Sequence, residues 1–132
     1  MSIQDIPVVN TLISASQNLT NAFANLGSTI NVGDAKECVL WAKVDIGTST
    51  NVQFKIWGKI EEDSTDLYEF PIKTITASLI KIEDEVVELN VNVDQNIMIS
   101  FTTNYTVPYI QIQVKDSASG TGAITEAYLT KM

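Results

Sequence analysis

The sequence predicts an antiparallel all-β fold, a sandwich or a barrel, and three observations carry that prediction. Apolar and polar residues alternate with a period of two along most of the chain. Clusters of Gly, Asn, Asp, Ser and Pro interrupt the alternation. The interruptions recur roughly every 10 residues, the rhythm of short antiparallel strands and not of βαβ units.

Taken in order, the first segment is the least regular. In "TLISASQNLTNAFANLG" (11–27), Leu12, Ala15, Leu19, Ala22 and Leu26 fall near helical spacing, with Gly27 placed as a helix C-cap. Ser14, Ser16, Asn18, Thr20, Asn21 and Asn25 are weak helix formers, so extended structure with a kink is the favoured reading. "CVLWAKVDI" (38–46) puts Leu40, Ala42, Val44 and Ile46 on one face. Cys38 shares that phase and is expected as a small buried hydrophobe. "NVQFKIWGKIEED" (51–63) sets Val52, Phe54, Ile56, Gly58 and Ile60 against Gln53, Lys55, Trp57 and Lys59.

Pro71, in "EFPI", lacks a ladder donor and marks an edge strand or bulge. In "SLIKIEDEVVEL" (78–89) the β-branched residues and the central acidic turn predict two strands. "VVELNVNV" (86–93) sets Val87, Leu89, Val91 and Val93 on one face. "IMISFTT" (97–103) aligns Ile97, Ile99 and Phe101, and "YIQIQVK" (109–115) aligns Ile110, Ile112 and Val114. The closing "AITEAYLTKM" alternates more weakly, with Ile124, Glu126 and Tyr128 in one phase. Turns are expected at "GTSTN" (47–51), "EEDSTD" (61–66), "EDE" (83–85), "DQN" (94–96), "NYTVP" (104–108) and "DSASGTG" (116–122). No domain boundary and no internal repeat is visible, so residues 1–132 read as one domain, with 1–13 a candidate extended N-terminal arm.

A chain of 132 residues can bury roughly two-thirds of its unfolded surface in one core. Hydrophobic residues make up 45% and charged residues 18%, which excludes a disordered tail. No apolar run approaches the ~20 residues of a spanning helix, so no membrane partner is expected. "MSIQDIPVVN" has no basic residue followed by an apolar core, so no secretory signal is expected. The balance of 8 basic to 16 acidic residues gives a net charge of −8, and every basic residue is a lysine. Nucleic-acid binding then lacks both its electrostatic term and its usual base-reading side chain.

Histidine is absent, so Ser-His-Asp and Cys-His catalysis and His-ligated zinc are excluded. A single cysteine makes neither a disulfide nor a thiolate cage. "GTG" (120–122) lies in no strand-to-helix setting and is no phosphate loop. A pair of carboxylates is all a glycosidase needs, but Glu61, Glu62, Asp63, Asp66, Glu83, Asp84 and Glu85 fall mostly in turns, where solvation is the default. "EEDSTD" also offers four carboxylates to a hard cation such as calcium, without the spacing of a helix-loop-helix site. "NLT" (18–20) and "NYT" (104–106) match the N-glycan pattern by chance. Neither a catalytic residue, a cofactor nor a metal is assigned.

The aromatics remain. Trp41 falls in the polar phase of its strand with Val39, Lys43 and Asp45, and Trp57 does the same with Lys55 and Lys59. If the two strands form a hairpin across "GTSTN", two registers keep the apolar faces together. Pairing Ile46 with Val52 sets Trp41 opposite Trp57. Pairing Ile46 with Phe54 sets Asp45 opposite Lys55 and Lys43 opposite Trp57. Either way both indoles share one outer face. That face is covered by the chain's own loops or N-terminal segment, or it receives a sugar ring or another protein. Trp41, Lys43, Lys55, Trp57 and Lys59 are therefore the candidate interaction surface.

The run "SQNLTNAFANLGSTINV", leading into "LWAKVDIGTSTNVQFKIWGK", resembles a group of small β-sandwich proteins encoded among the structural genes of tailed bacteriophages. Shared features are a strand of the form L-W-x-K-x-D, an S-T-N-V turn, and a closing strand like "AYLTK", here Ala127 to Lys131. The similarity spans most of the chain from about Ser14, through motifs that are structural. Strands in that group often carry arginine, which this chain lacks. The resemblance implies a non-enzymatic virion component, such as a capsid decoration, head-fibre or accessory subunit. Its expected form is a jelly-roll-like sandwich of about eight to ten strands. Its expected partners are capsid or other virion proteins and copies of itself, its location the virion after synthesis in the host cytoplasm. The alternative is a carbohydrate-binding module that stacks sugars on surface tryptophans.

Overall fold

Alternation becomes strand wherever turn residues bracket it. A computed structural model describes residues 7–33, 35–49, 52–69, 80–83, 86–89, 94–103, 107–116 and 120–132. Twelve strands occur among them: β1 (Val8–Thr11), β2 (Gln17–Asn18), β3 (Ala24–Asn25), β4 (Ile30–Asn31), β5 (Glu37–Asp45), β6 (Val52–Lys59), β7 (Tyr68–Glu69), β8 (Ile80–Glu83), β9 (Val86–Leu89), β10 (Gln95–Thr102), β11 (Tyr109–Asp116) and β12 (Ala123–Lys131). The described residues form no helix, and none is therefore long and apolar enough to cross a membrane. Pro71 lies outside the described residues, as do 84–85 of the expected turn 83–85, 90–93 of the expected strand 86–93 with Val91 and Val93, 104–106 of the expected turn 104–108, and 117–119 of the expected turn 116–122.

Two antiparallel sheets pack face to face. Sheet A runs β1–β12–β5–β10, with β2 also on β12; sheet B runs β3–β11–β6–β9–β8, with β4 also on β11 and β7 also on β6. The short pairs β1/β2 and β3/β4 each make one interrupted edge. The chain changes sheet between β2 and β3, at each connection from β4 to β6, and at each from β9 to β12, while β3 to β4 and β6 to β9 stay in sheet B. This is jelly-roll order, two Greek keys wrapped into a sandwich.

The inward phases make the core. Leu40, Ala42, Val44, Ile97, Ile99, Phe101, Ala127 and Leu129 face Val52, Phe54, Ile56, Ile110, Ile112 and Val114, all buried. Fully burying each large side chain contributes about 1.5–3 kcal/mol. Cys38 is buried among them, as its phase predicted.

The N-terminal segment is extended, as favoured, and its leucines explain the false helical spacing. Leu12, Leu19 and Leu26 are each buried where the strand breaks, and their N–H groups donate to Ala127, Gly122 and Ile112 carbonyls. Between Asn18 and Ala24 the chain leaves sheet A for sheet B. Gly27 has φ 75°, and a Cβ there would lie 2.3 Å from the Leu12 carbonyl oxygen. It ends no helix; it lets two strand breaks pass at contact distance. Residues 8–11, expected in an extended arm, pair with β12 from Lys131 to Tyr128.

Candidate functional site

The expected hairpin does not form. β5 pairs with β10 and β12, and β6 pairs with β7, β9 and β11. β5, ending at Asp45, and β6, starting at Val52, belong to different sheets, so Trp41 and Trp57 occupy the outer faces of different sheets. The five candidate residues therefore divide into two groups, Trp41 with Lys43 and Lys55 with Trp57 and Lys59.

On sheet B the second group is tied into its own chain. Trp57 Nε1 donates to Gln113 Oε1 (2.9 Å), and Gln113 Nε2 donates to Asn25 Oδ1 (2.9 Å). Lys55 Nζ sits 4.3 Å from the Trp57 ring centroid, a cation–π contact. Lys59 is only 8% exposed. Its Nζ donates to Thr29 Oγ1 (2.9 Å) and the Glu62 carbonyl (2.8 Å), and Thr29 Oγ1 donates to buried Gln111 (3.1 Å). The segment between β3 and β4 thus covers one end of this face. Beyond it, at the end of β6, Ile60 and Tyr68 are 65% and 59% exposed. Glu61, Glu62 and Asp63 beside them are exposed.

Sheet A presents the first group openly. Trp41, 42% exposed, lies between Tyr128 of β12 and Met98 of β10, its Cα partners on either side. Val9 of β1, in the same outward phase, is exposed nearby. Trp41 Nε1 donates to Thr130 Oγ1 (2.9 Å), which pins the indole toward β12. Lys43 Nζ donates to Glu126 Oε2 (2.7 Å), and the Tyr128 hydroxyl donates to Glu126 Oε1 (2.9 Å). The hydrogen bond from Lys43 is the main cause holding the Glu126 carboxyl below its ordinary range, with Tyr128 adding to it. The same bonds push Lys43 and Tyr128 up. Trp41, Lys43, Asn96, Glu126, Tyr128 and Val9 line a concavity of about 390 Å³.

Unbroken alternation places Glu126 and Tyr128 in the phase of Ile124. A bulge between Ile124 and Glu126 reverses the alternation, so Ile124 is buried with Ala127 and Leu129 while Glu126 and Tyr128 face outward. The weak alternation of "AITEAYLTKM" was the signal. Wholly missed was a polar clamp between two loops. Buried Asp116 Oδ2 accepts from Ser49 Oγ (2.6 Å) and from the Gly120 N–H (2.8 Å), and Ser49 Oγ accepts from the Gly122 N–H (3.0 Å). The Ser49 hydroxyl is buried and bonded on both sides, so the clamp is structural.

Among the described residues no three His, Cys, Asp or Glu side chains are grouped to hold a metal ion. No protein-family model matches the chain, and no curated protein matches it significantly.

Proposed function

We propose that this chain is a non-enzymatic structural subunit of a tailed-phage particle: a capsid decoration, head-fibre or accessory protein. It acts by assembling with capsid or other virion proteins and with copies of itself. The motifs in "LWAKVDIGTSTNV" and "AYLTK" support that reading, and the jelly-roll order is compatible with it. One observation carries it. Just past the end of β6, Ile60 exposes a large apolar side chain, as does Tyr68, which lies opposite Gly58, and the Glu61, Glu62 and Asp63 that follow Ile60 are exposed as well. Exposed apolar side chains near charged ones are the composition of a protein contact. The net charge of −8 keeps free copies apart in solution and disfavours DNA as the partner.

Particles purified from producing cells should contain the chain in a fixed copy number relative to the major capsid protein. Ile60→Ser with Tyr68→Ser should lower incorporation by about tenfold. The isolated variant should melt within a few degrees of the parent, since both side chains are exposed. Particles free of the chain would refute the assembly role, and undiminished incorporation of the variant would refute this contact.

A further inference from the structure

We propose that the outer face of sheet A is a binding site for a neutral saccharide, an oligomer of β-linked pyranoses whose hydroxyls are equatorial. Such a ring presents axial C–H groups on its faces and hydroxyls around its edge. It fits an aromatic platform with polar groups beside it, and sheet A supplies both. Trp41 and Tyr128 are neighbours on adjacent strands, directly opposed in register. Their polar atoms are already engaged, Trp41 Nε1 by Thr130 and the Tyr128 hydroxyl by Glu126. The rings are therefore held in place, and a ligand meets their faces without having to satisfy a buried donor.

The edge groups sit beside the platform. Glu126 is an acceptor, Lys43 keeps N–H donors beyond the one given to Glu126, and the exposed Asn96 amide offers both. The concavity of about 390 Å³ falls in the range of small-molecule sites. Charge selects the ligand class. Among the described residues, Lys43 and Glu126 are the charged side chains lining the concavity, and they neutralise each other. No other described residue there compensates an anionic sugar, which the net charge of −8 would also repel.

This site stands apart from the assembly contact at the end of β6, and the two fail separately. Calorimetric titration of the full chain with cellohexaose, laminarihexaose and chitohexaose should give saturable binding to at least one. A β-1,4-linked hexaglucuronate, the charged control of the same ring geometry, should give none. Trp41→Ala should weaken binding by at least about tenfold, and Trp57→Ala should leave it within about twofold. Asn96→Ala, an exposed change that spares the platform, should weaken it about threefold. Ile60→Ser with Tyr68→Ser should leave sugar binding unchanged, and Trp41→Ala should leave particle incorporation unchanged. Absence of binding to all three neutral probes at millimolar concentration overturns the proposal. So does equal binding of the charged control, or binding that survives Trp41→Ala.

Discussion

Lys43 and Glu126 face each other from neighbouring strands on the open side of sheet A, and Tyr128 completes the group. Both partners of the ion pair are well exposed, so their attraction adds little to global stability. Its consequence is local. Glu126 is held below the ordinary carboxylate range, first by the Lys43 hydrogen bond and then by Tyr128. A lowered carboxyl favours the folded arrangement above the ordinary carboxylate range, and loses that contribution as pH falls through its depressed pKa. Lys43 is raised, chiefly by its bond to Glu126, so its contribution is complete below its ordinary value and is lost as pH rises through the raised one. Carboxyl-carbon NMR titration should find the Glu126 midpoint below the ordinary glutamate range. Lys43→Ala should return it most of the way, and Tyr128→Phe by a smaller step. A midpoint unmoved by Lys43→Ala would show that the pair does not persist in solution.

Elements were legible where a single strand's chemistry decides them, and illegible where a neighbour does. β5, β6, β10 and β11 follow directly from alternation, because a period of two is local. The partner of each strand is not local. A short polar turn such as "GTSTN" serves a hairpin or a crossover equally, and only the closing of both sheets shows that β5 and β6 part company there. Trp57 looked misplaced between lysines because its hydrogen-bond acceptor, Gln113, lies on β11. Leu12, Leu19 and Leu26 imitated a helix because strand breaks happen to recur at that interval. The loop clamp was hidden for the same reason, being made by two turns far apart in sequence. It joins the β5–β6 crossover to the end of β11 through Asp116 and Ser49. Asp116→Ala leaves the Ser49 hydroxyl and the Gly120 N–H without that acceptor, and should cost about 3 kcal/mol in urea unfolding. Ser49→Ala keeps the carboxylate's bond to Gly120 and should cost about 1–2 kcal/mol. A loss below about 1 kcal/mol for Asp116→Ala would mean that water replaces the clamp.

For the whole molecule, jelly-roll order places two chemically different faces on opposite sides of one core. Sheet A shows an open aromatic row, and sheet B shows a tryptophan bound into a glutamine and lysine network. Packed sheets lie about 10 Å apart, and each indole points away from the other, so the shortest route between them runs through the buried layer. Their energetic effects should therefore add. Trp41→Ala and Trp57→Ala, measured singly and together by urea unfolding, should combine to within about 0.5 kcal/mol. The hairpin arrangement would have set the indoles side by side or diagonally opposed, where coupling of about 0.5–1.5 kcal/mol is expected. Trp57→Ala should be the costlier of the two. It releases Gln113 and the cation–π contact with Lys55, whereas Trp41→Ala removes one exposed bond to Thr130. Non-additivity of 1 kcal/mol or more would place the two tryptophans in contact, and the crossover at "GTSTN" could not then stand. Additive costs in this order mean that either face can be altered while the other, and the core between them, keeps its structure.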